Sequence, residues 1–386
     1  MLSEEMTARY RNSGLVAMIA IAAFALAARA QADGASTAAT LCVNPSGADG
    51  CFTTISAAVA SAQTGATITV ASGTYLETLT IGGITTKGKP MSPLKLTIKG
   101  AGSTTTIIDA GGSGTVITVN PQSSLALAKF TVQHGGLQGI AVTGGSLSLS
   151  NSLVTANGAG GVSFNGLSFR IQQSTISNNT GGSGVSVLDS KGTALILDST
   201  ISGNVAPVCL GGGAGVFVGS DTTIANTTIS GNQVPFCEYG VSEGGGIFVT
   251  GGPLNLNNDT ITNNVAPKGG GLEILGDTTA SNTIISGNST TDGECAGPLT
   301  SDGYNLSDTD CLVSGGTGDI IADPLLGPLT DNPPGLNATQ APLAGSPAIG
   351  AGAPTVGGYA GPGCASTDER GVKRVAGSCD IGAYQS

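Results

Sequence analysis

Apolar positions in this chain fall in short alternating runs, and no long stripe at helical spacing appears. Between about residues 130 and 290 three such runs recur in order. One follows each glycine stretch, as Val162/Phe164, Val185/Val187, Val216/Val218, Ile247/Val249 and Leu272/Ile274. A second carries Leu149, Ile171, Ile196, Ile224, Leu256 and Ala280 in one phase. The third holds the Ile or Val of a repeated phrase that ends in Asn. That phrase reads Leu153-Val154-Thr155-Ala156-Asn157, then Thr175-Ile176-Ser177-Asn178-Asn179, Thr200-Ile201-Ser202-Gly203-Asn204, Thr228-Ile229-Ser230-Gly231-Asn232, Thr260-Ile261-Thr262-Asn263-Asn264 and Ile284-Ile285-Ser286-Gly287-Asn288. Alternation over a few residues is the mark of a strand with one buried face. The abundant Gly, Ser, Thr, Asn and β-branched residues suit strands and turns. A unit of this length cannot bury its apolar face alone, so units must stack on one another.

Two residues beyond each apolar position of the second run stands a polar one: Asn151, Gln173, Asp198, Asn226, Asn258 and Asn282. The step from the second run to the third is odd, which breaks strict alternation and requires a bend. Asn tolerates the left-handed backbone region and suits such a bend. With coils stacked about 4.8 Å apart, the amides of Asn151, Asn226, Asn258 and Asn282 are expected to form a hydrogen-bonded ladder. The repeat-end residues Asn157, Asn179, Asn204, Asn232, Asn264 and Asn288 close each unit.

The architecture predicted is all-β: a single-stranded, right-handed parallel β-helix, or solenoid. Gly is abundant, at 63 of 386 residues, but shows no period of three, which excludes collagen. Periodic apolar residues in a chain 39% hydrophobic exclude disorder. Arg9 and Arg11 ahead of the apolar run Leu15 to Ala28, with small-x-small sites at Ala28-Arg29-Ala30 and Ala30-Gln31-Ala32, predict a signal peptide over 1–30. Met6 is an alternative start, and an uncleaved anchor is left open. Residues 31–65 then form an N-terminal segment ending in a cap helix, with Ile55 to Gln63 as the helical run. The β-helix spans 66–291 and a loop-rich C-terminal cap 292–386. No other stretch is apolar enough to span a membrane. A net charge of −11 with 4% aromatic residues argues against nucleic-acid binding.

Eight cysteines behind an export signal predict four disulfides. Cys209 and Cys237 each lie five residues after a repeat-end Asn, so they share a phase on neighbouring coils and should pair. Pairing with the nearest cysteine gives Cys42–Cys51, Cys295–Cys311 and Cys364–Cys379. One histidine and no C-x-x-C spacing leave little for a metal centre.

The stretch Ile55-Ser56-Ala57-Ala58-Val59, leading to Ser72-Gly73-Thr74-Tyr75-Leu76-Glu77, resembles the opening of pectin-lyase-like right-handed β-helix proteins. The tail resembles a bacterial choice-of-anchor Q module. Its matching runs are Gly303-Tyr304-Asn305-Leu306, Asp323-Pro324-Leu325-Leu326-Gly327-Pro328-Leu329, Gly345-Ser346-Pro347-Ala348-Ile349, Thr367-Asp368-Glu369-Arg370-Gly371 and Cys379-Asp380-Ile381-Gly382-Ala383-Tyr384. Asn332-Pro333-Pro334-Gly335 replaces the usual Asn-Gly-Gly turn, and Gly350 stands where Asp is common. The resemblance implies a cap helix, a β-helix body and residence outside the cytoplasm: extracellular, cell-surface or periplasmic. The sequence shows no apolar anchor or sorting motif near Ser386, so attachment and release both remain open.

Candidate chemistry is sparse. Polysaccharide lyases need a base and a cation for the enolate, and glycosidases need paired carboxylates. The cations of the repeat region, Lys129, Arg170, Lys191 and Lys268, share no phase, and the single His134 lies beside Gly135-Gly136. The carboxylates Asp189, Asp198, Asp221, Asp259 and Asp277 are also scattered, and Asp198 reads as a ladder member. Asp292, Glu294, Asp302, Asp308 and Asp310 are close enough in sequence for a Ca²⁺ site but lack a Ca²⁺-loop motif, so no cofactor is assigned and Ca²⁺ is kept as the alternative. Asp368-Glu369-Arg370 near Lys373 and Arg374 reads as a structural ion-pair knot. No catalytic residue is assigned. The expectation is a non-catalytic, adhesin-like protein that presents a long surface to polysaccharide or another cell-surface component, with the loops around Cys209 and Cys237 as the contact region. A polysaccharide lyase or related carbohydrate-active enzyme, and a purely structural spacer, are the alternatives.

Overall fold

The computed structural model describes residues 39–83, 93–206, 212–236, 243–290, 293–312, 315–335 and 337–386. Within them the chain winds through three parallel sheets, which we term A, B and C in the order each coil visits them. Sheet A has 11 strands, sheet B 11 and sheet C nine. A typical coil runs Ser168–Gln172 in A, Thr175–Ser177 in B and Val185–Ser190 in C.

The register stacks like on like. Leu149 pairs with Ile171, then Ile196, Ile224, Leu256 and Ala280 up sheet A. Val154, Ile176, Ile201, Ile229, Ile261 and Ile285 do the same up sheet B. Phe164, Val187, Val218, Val249 and Ile274 complete the bore in sheet C. These side chains are buried. At about 1.5–3 kcal/mol for each fully buried aliphatic side chain, they supply the main driving force for stacking.

Each coil turns at two left-handed corners. Between sheets A and B the corner residue is Asn151, Gln173, Asp198, Asn226, Asn258 or Asn282, all with φ between 49 and 57°. Between sheets B and C it is His134, Ala156, Asn178, Gly203, Gly231, Asn263 or Gly287. This second corner explains the repeated phrase: three strand residues, a residue that accepts positive φ, then Asn.

The amide ladder lies in the repeat-end column, not in the column of Asn151, Asn226, Asn258 and Asn282. Asn157, Asn179, Asn204, Asn232 and Asn264 each donate Nδ2 to the Oδ1 of the next, ending at Asn288, at 2.9 Å every time. The same Oδ1 atoms accept the backbone N–H of the preceding Asn, for example Asn204 to Asn232 at 3.0 Å. Behind the inward-turning second corner each amide is enclosed and satisfies polar backbone that water cannot reach. At the A–B corner the side chains turn outward instead. Asn226, Asn258 and Asn282 grip the C-terminal tail, through the carbonyls of Thr367, Gly382 and Pro362 among others.

Stacking extends beyond both ends of the predicted 66–291 span. Thr40–Val43, ahead of the cap helix, pairs with Thr67–Val70. Thr300–Gly303 continues sheet A, and Leu306–Ser307 with Ile320–Ile321 continues sheet B. These last strands are too short to show alternation. Helix α1, Ile55–Ser61, buries Ile55, Ala58 and Val59 on the first coil. Glu77 holds its start, accepting from the Ile55 and Ser56 amides at 2.8 and 2.9 Å. Leu299, Cys311 and Leu312 join the main core at the opposite end.

The tail does more than cover that end: it runs back along the flank of sheets A and B. Asn337 bonds Thr175 and the Asp198 carbonyl, and Gln340 bonds Thr262. Disulfides join Cys42 to Cys51, Cys295 to Cys311 and Cys364 to Cys379. Cys209 and Cys237 lie outside the described residues. Disulfides of this kind form in oxidising compartments. Among the described residues no helix is long and apolar enough to cross a membrane.

Candidate binding face

The connections that lead into sheet C differ in length from coil to coil. Between sheets B and C the chain runs through short glycine turns at 158–161 and 180–184, then through longer excursions at 205–215 and 233–246. The described ends of the longer excursions are tied to the stack. Beyond the amide ladder a file of single bridges links Thr180, Val205, Gln233, Val265 and Ser289. Ala206, Ala214, Val234 and Ala266 form a small second core beneath them.

Those excursions flank one file of outward side chains. In register up sheet C stand Ala141, Ser163, Ser186, Phe217, Phe248, Glu273 and Ala296. The small hydroxyl residues thus give way to an aromatic pair and then a carboxylate. The Phe217 and Phe248 rings meet edge to face, with centroids 5.9 Å apart. Loop backbone descends onto them at Gly213 and Gly244, which have φ of 81 and 68°. A Cβ on Gly244 would lie 2.7 Å from the Phe248 Cβ, so both the conformation and the approach require glycine. Phe248 is covered, whereas Phe217 is half-buried.

Beside the pair lies an ion cluster. Lys268 Nζ is 2.6 Å from Glu273 Oε1 and 3.6 Å from Glu243 Oε1. Its hydrogen bond to Glu273 holds the Lys268 ammonium above its usual pKa, outweighing its slight burial. Farther along, Lys191 pairs with Asp189 at 2.8 Å and Thr193 donates to Asp221 at 2.8 Å. An aromatic surface next to fixed charges can hold a ligand with one apolar face and hydroxyl edges. Phe217, Phe248, Glu243 and Glu273 were not singled out from the sequence, although three of them lie between the inward residues that were. Val216/Val218, Ile247/Val249 and Leu272/Ile274 bracket Phe217, Phe248 and Glu273, and alternation alone puts the middle residue outside.

The other candidates are dispersed. His134 sits at a B–C corner, its Nδ1 2.8 Å from Asp109 Oδ2, above a glycine-floored cleft of about 500 Å³. Burial pushes Asp109 up in pKa, but hydrogen bonds from Gln133, the Gly111 amide and His134 outweigh it and hold the carboxyl low. Arg170 donates to Gln172, which donates to Asp198. Asp198 also accepts from Tyr359 at 2.7 Å and Asn226 at 3.2 Å. Asp259 is enclosed in the coil interior and accepts from the Thr227 and Asn257 amides. In the acidic group Glu294 closes the amide ladder, its Oε1 accepting from Asn288 Nδ2 at 2.7 Å. Asp308 accepts from the Gly287 amide. Asp292 and the Asp310 side chain lie outside the described structure.

The expected ion-pair knot in the tail is partial. Arg370 pairs with Asp368 at 2.7 Å and lies over the Tyr384 ring. Glu369, however, is buried between two hydroxyls, accepting from Thr200 at 2.8 Å and Thr228 at 2.6 Å. Arg374, its pKa pushed down to about 10 by burial, donates to the Asp380 and Gly382 carbonyls and to Asn226.

Residues 115–290 match the family model described as the right handed beta helix region. No curated protein matches the sequence. Among solved structures the chain is similar to pectate lyase Pel9A, with a TM-score of 0.54 and 16% identity over 91% of this chain and 97% of that one. It is more distantly similar to pectin methylesterase PemA from Erwinia chrysanthemi, with a TM-score of 0.32 and 17% identity over 65% of this chain and 79% of that one. The Agl-KA catalytic domain scores 0.33 at 17% identity, over 65% of this chain and 59% of that one. The family match and the pectate lyase likeness establish a right-handed parallel β-helix. At these identities the likeness is one of fold alone.

Proposed function

We propose that this β-helix is an exported, non-catalytic protein that binds glycan along the outer face of sheet C, beside its longest inserted loops. The observation that carries this reading is the single outward file in which Ser186 gives way to Phe217 and Phe248 and then to the Glu273–Lys268 pair. A pyranose presents a face of C–H groups that packs on an aromatic ring, whose π cloud is electron-rich. Its hydroxyls then meet the flanking polar groups. The disulfides support residence in an oxidising compartment, and the predicted leader supports export. The resemblance of the tail to a choice-of-anchor module supports presentation at a cell surface.

One observation favours a second reading, a carbohydrate-active enzyme. The His134–Asp109 pair leaves the second imidazole nitrogen for a substrate proton, the arrangement of a general base. A purely structural spacer is the remaining alternative. A panel of soluble polysaccharides separates the three. The intact protein should retard polymers in affinity electrophoresis and leave their length and ultraviolet absorbance unchanged, and Phe217→Ala should weaken retardation. Shortened chains or new unsaturated ends would replace this reading with the enzymatic one. No retardation of any polymer would leave the spacer.

A further inference from the structure

Resting on that reading of the sheet C face, the charges around Phe217 select among glycans. We propose that the ligand is a neutral glycan and that the face rejects uronate polymers. Two ammonium groups reach this face among the described residues, and both are already engaged. Lys268 is bound to Glu273 at 2.6 Å and faces Glu243 at 3.6 Å. Lys191 is bound to Asp189 at 2.8 Å. Asp221 adds a fourth carboxylate at the following corner, where its partner is the uncharged Thr193 hydroxyl.

The side chain of Glu273 is 1% exposed, while those of Glu243 and Lys268 are 23% and 38% exposed. An incoming chain therefore meets Glu243 together with an ammonium whose charge is spent inside the protein. Four carboxylates against two cations leave the patch negative, within a protein of net charge −11. A uronate polymer carries a carboxylate on every sugar, and like charges brought together at an interface are strongly unfavourable. A neutral hexose chain incurs no such repulsion and keeps the stacking surface that Phe217 offers.

The test compares one polymer in two charge states. Polygalacturonate and the same polymer with its carboxyls reduced to primary alcohols are titrated against the full chain, beside neutral galactan, glucan and mannan. Titrations are run at low and high salt, with and without Ca²⁺. At least one neutral polymer should bind. The reduced polymer should bind at least about tenfold more tightly than the uronate at low salt, and the gap should close as salt screens the charges. Glu243→Gln should narrow the gap several-fold at low salt, and Phe217→Ala should weaken neutral binding whatever the salt. Uronate binding equal to or tighter than that of the reduced polymer, in either Ca²⁺ condition, overturns the neutral assignment and leaves glycan binding standing. No binding of any polymer overturns both.

Discussion

Asn204 donates Nδ2 to Asn232 Oδ1 at 2.9 Å, and neither side chain touches solvent. The Oδ1 of Asn204 in turn accepts the amide and the Nδ2 of Asn179. Removing the side chain therefore orphans buried groups on the coils before and after it. Asn204→Ala should cost roughly 1–3 kcal/mol for each buried group left without a partner. Asn151→Gly, at a half-buried A–B corner, should cost about 0.5 kcal/mol or less. Urea denaturation of the two variants checks the contrast, and equal losses would show that the ladder does not bear the load.

The tail should be bound most firmly at mildly acid pH. Burial raises the pKa of Glu369 well above the usual range, against the opposing hydrogen bonds from Thr228 and Thr200. Burial raises Asp259 in the same way. A raised native pKa means that the folded state holds its proton more tightly than the unfolded chain. Its stabilising contribution is full below the ordinary carboxylate pKa and is lost as pH rises through the native value. Denaturation followed upward from about pH 4 should show declining stability, and Glu369→Gln should flatten that decline. A pH-independent wild type would refute the assignment.

His134 should be dispensable. Its φ of 53° matches those of Asn178 and Asn263 at equivalent corners. The pair with Asp109 is half-exposed on the histidine side, so it contributes little. His134→Asn should change stability by less than about 1 kcal/mol and leave glycan binding as it was. Calorimetric binding and thermal melts of this variant check both statements.

Glu77 should control the N-terminal end of the stack. Its two oxygens accept from the Ile55 and Ser56 amides, a charge-assisted cap on helix α1. Glu77→Ala should cost about 1–2 kcal/mol and speed amide exchange at Ile55 to Val59 before it does so elsewhere. Hydrogen exchange read by mass spectrometry checks the order.

Much of this architecture was legible because it repeats. In-phase Ile and Leu residues determine which strands stack, and six copies of one phrase mark the corner where Asn is enclosed. The place of the ladder was misread because both corners carry Asn. Sequence shows that Asn226 and Asn232 each follow a strand. It does not show that one faces solvent-side tail backbone and the other the coil interior. The outward file was readable in principle, since Phe217 lies between Val216 and Val218. Lys268 and Glu243 meet Glu273 only once the coils are stacked. The partners of Glu369, Thr200 and Thr228, lie far back along the chain, and no local pattern announces that distance.

Solenoids held together only by nearest-neighbour stacking tend to fray rung by rung from their ends. Here Asn337 reaches Thr175, Glu369 spans Thr200 and Thr228, the Ala383 amide reaches Thr260, and the Ala353 amide reaches Asn282. The tail acts as a splint across successive rungs, so the distal part of the rod must melt as one block. The proximal coils before Thr175 have no such brace in the contacts described, and mechanical or thermal peeling should begin there.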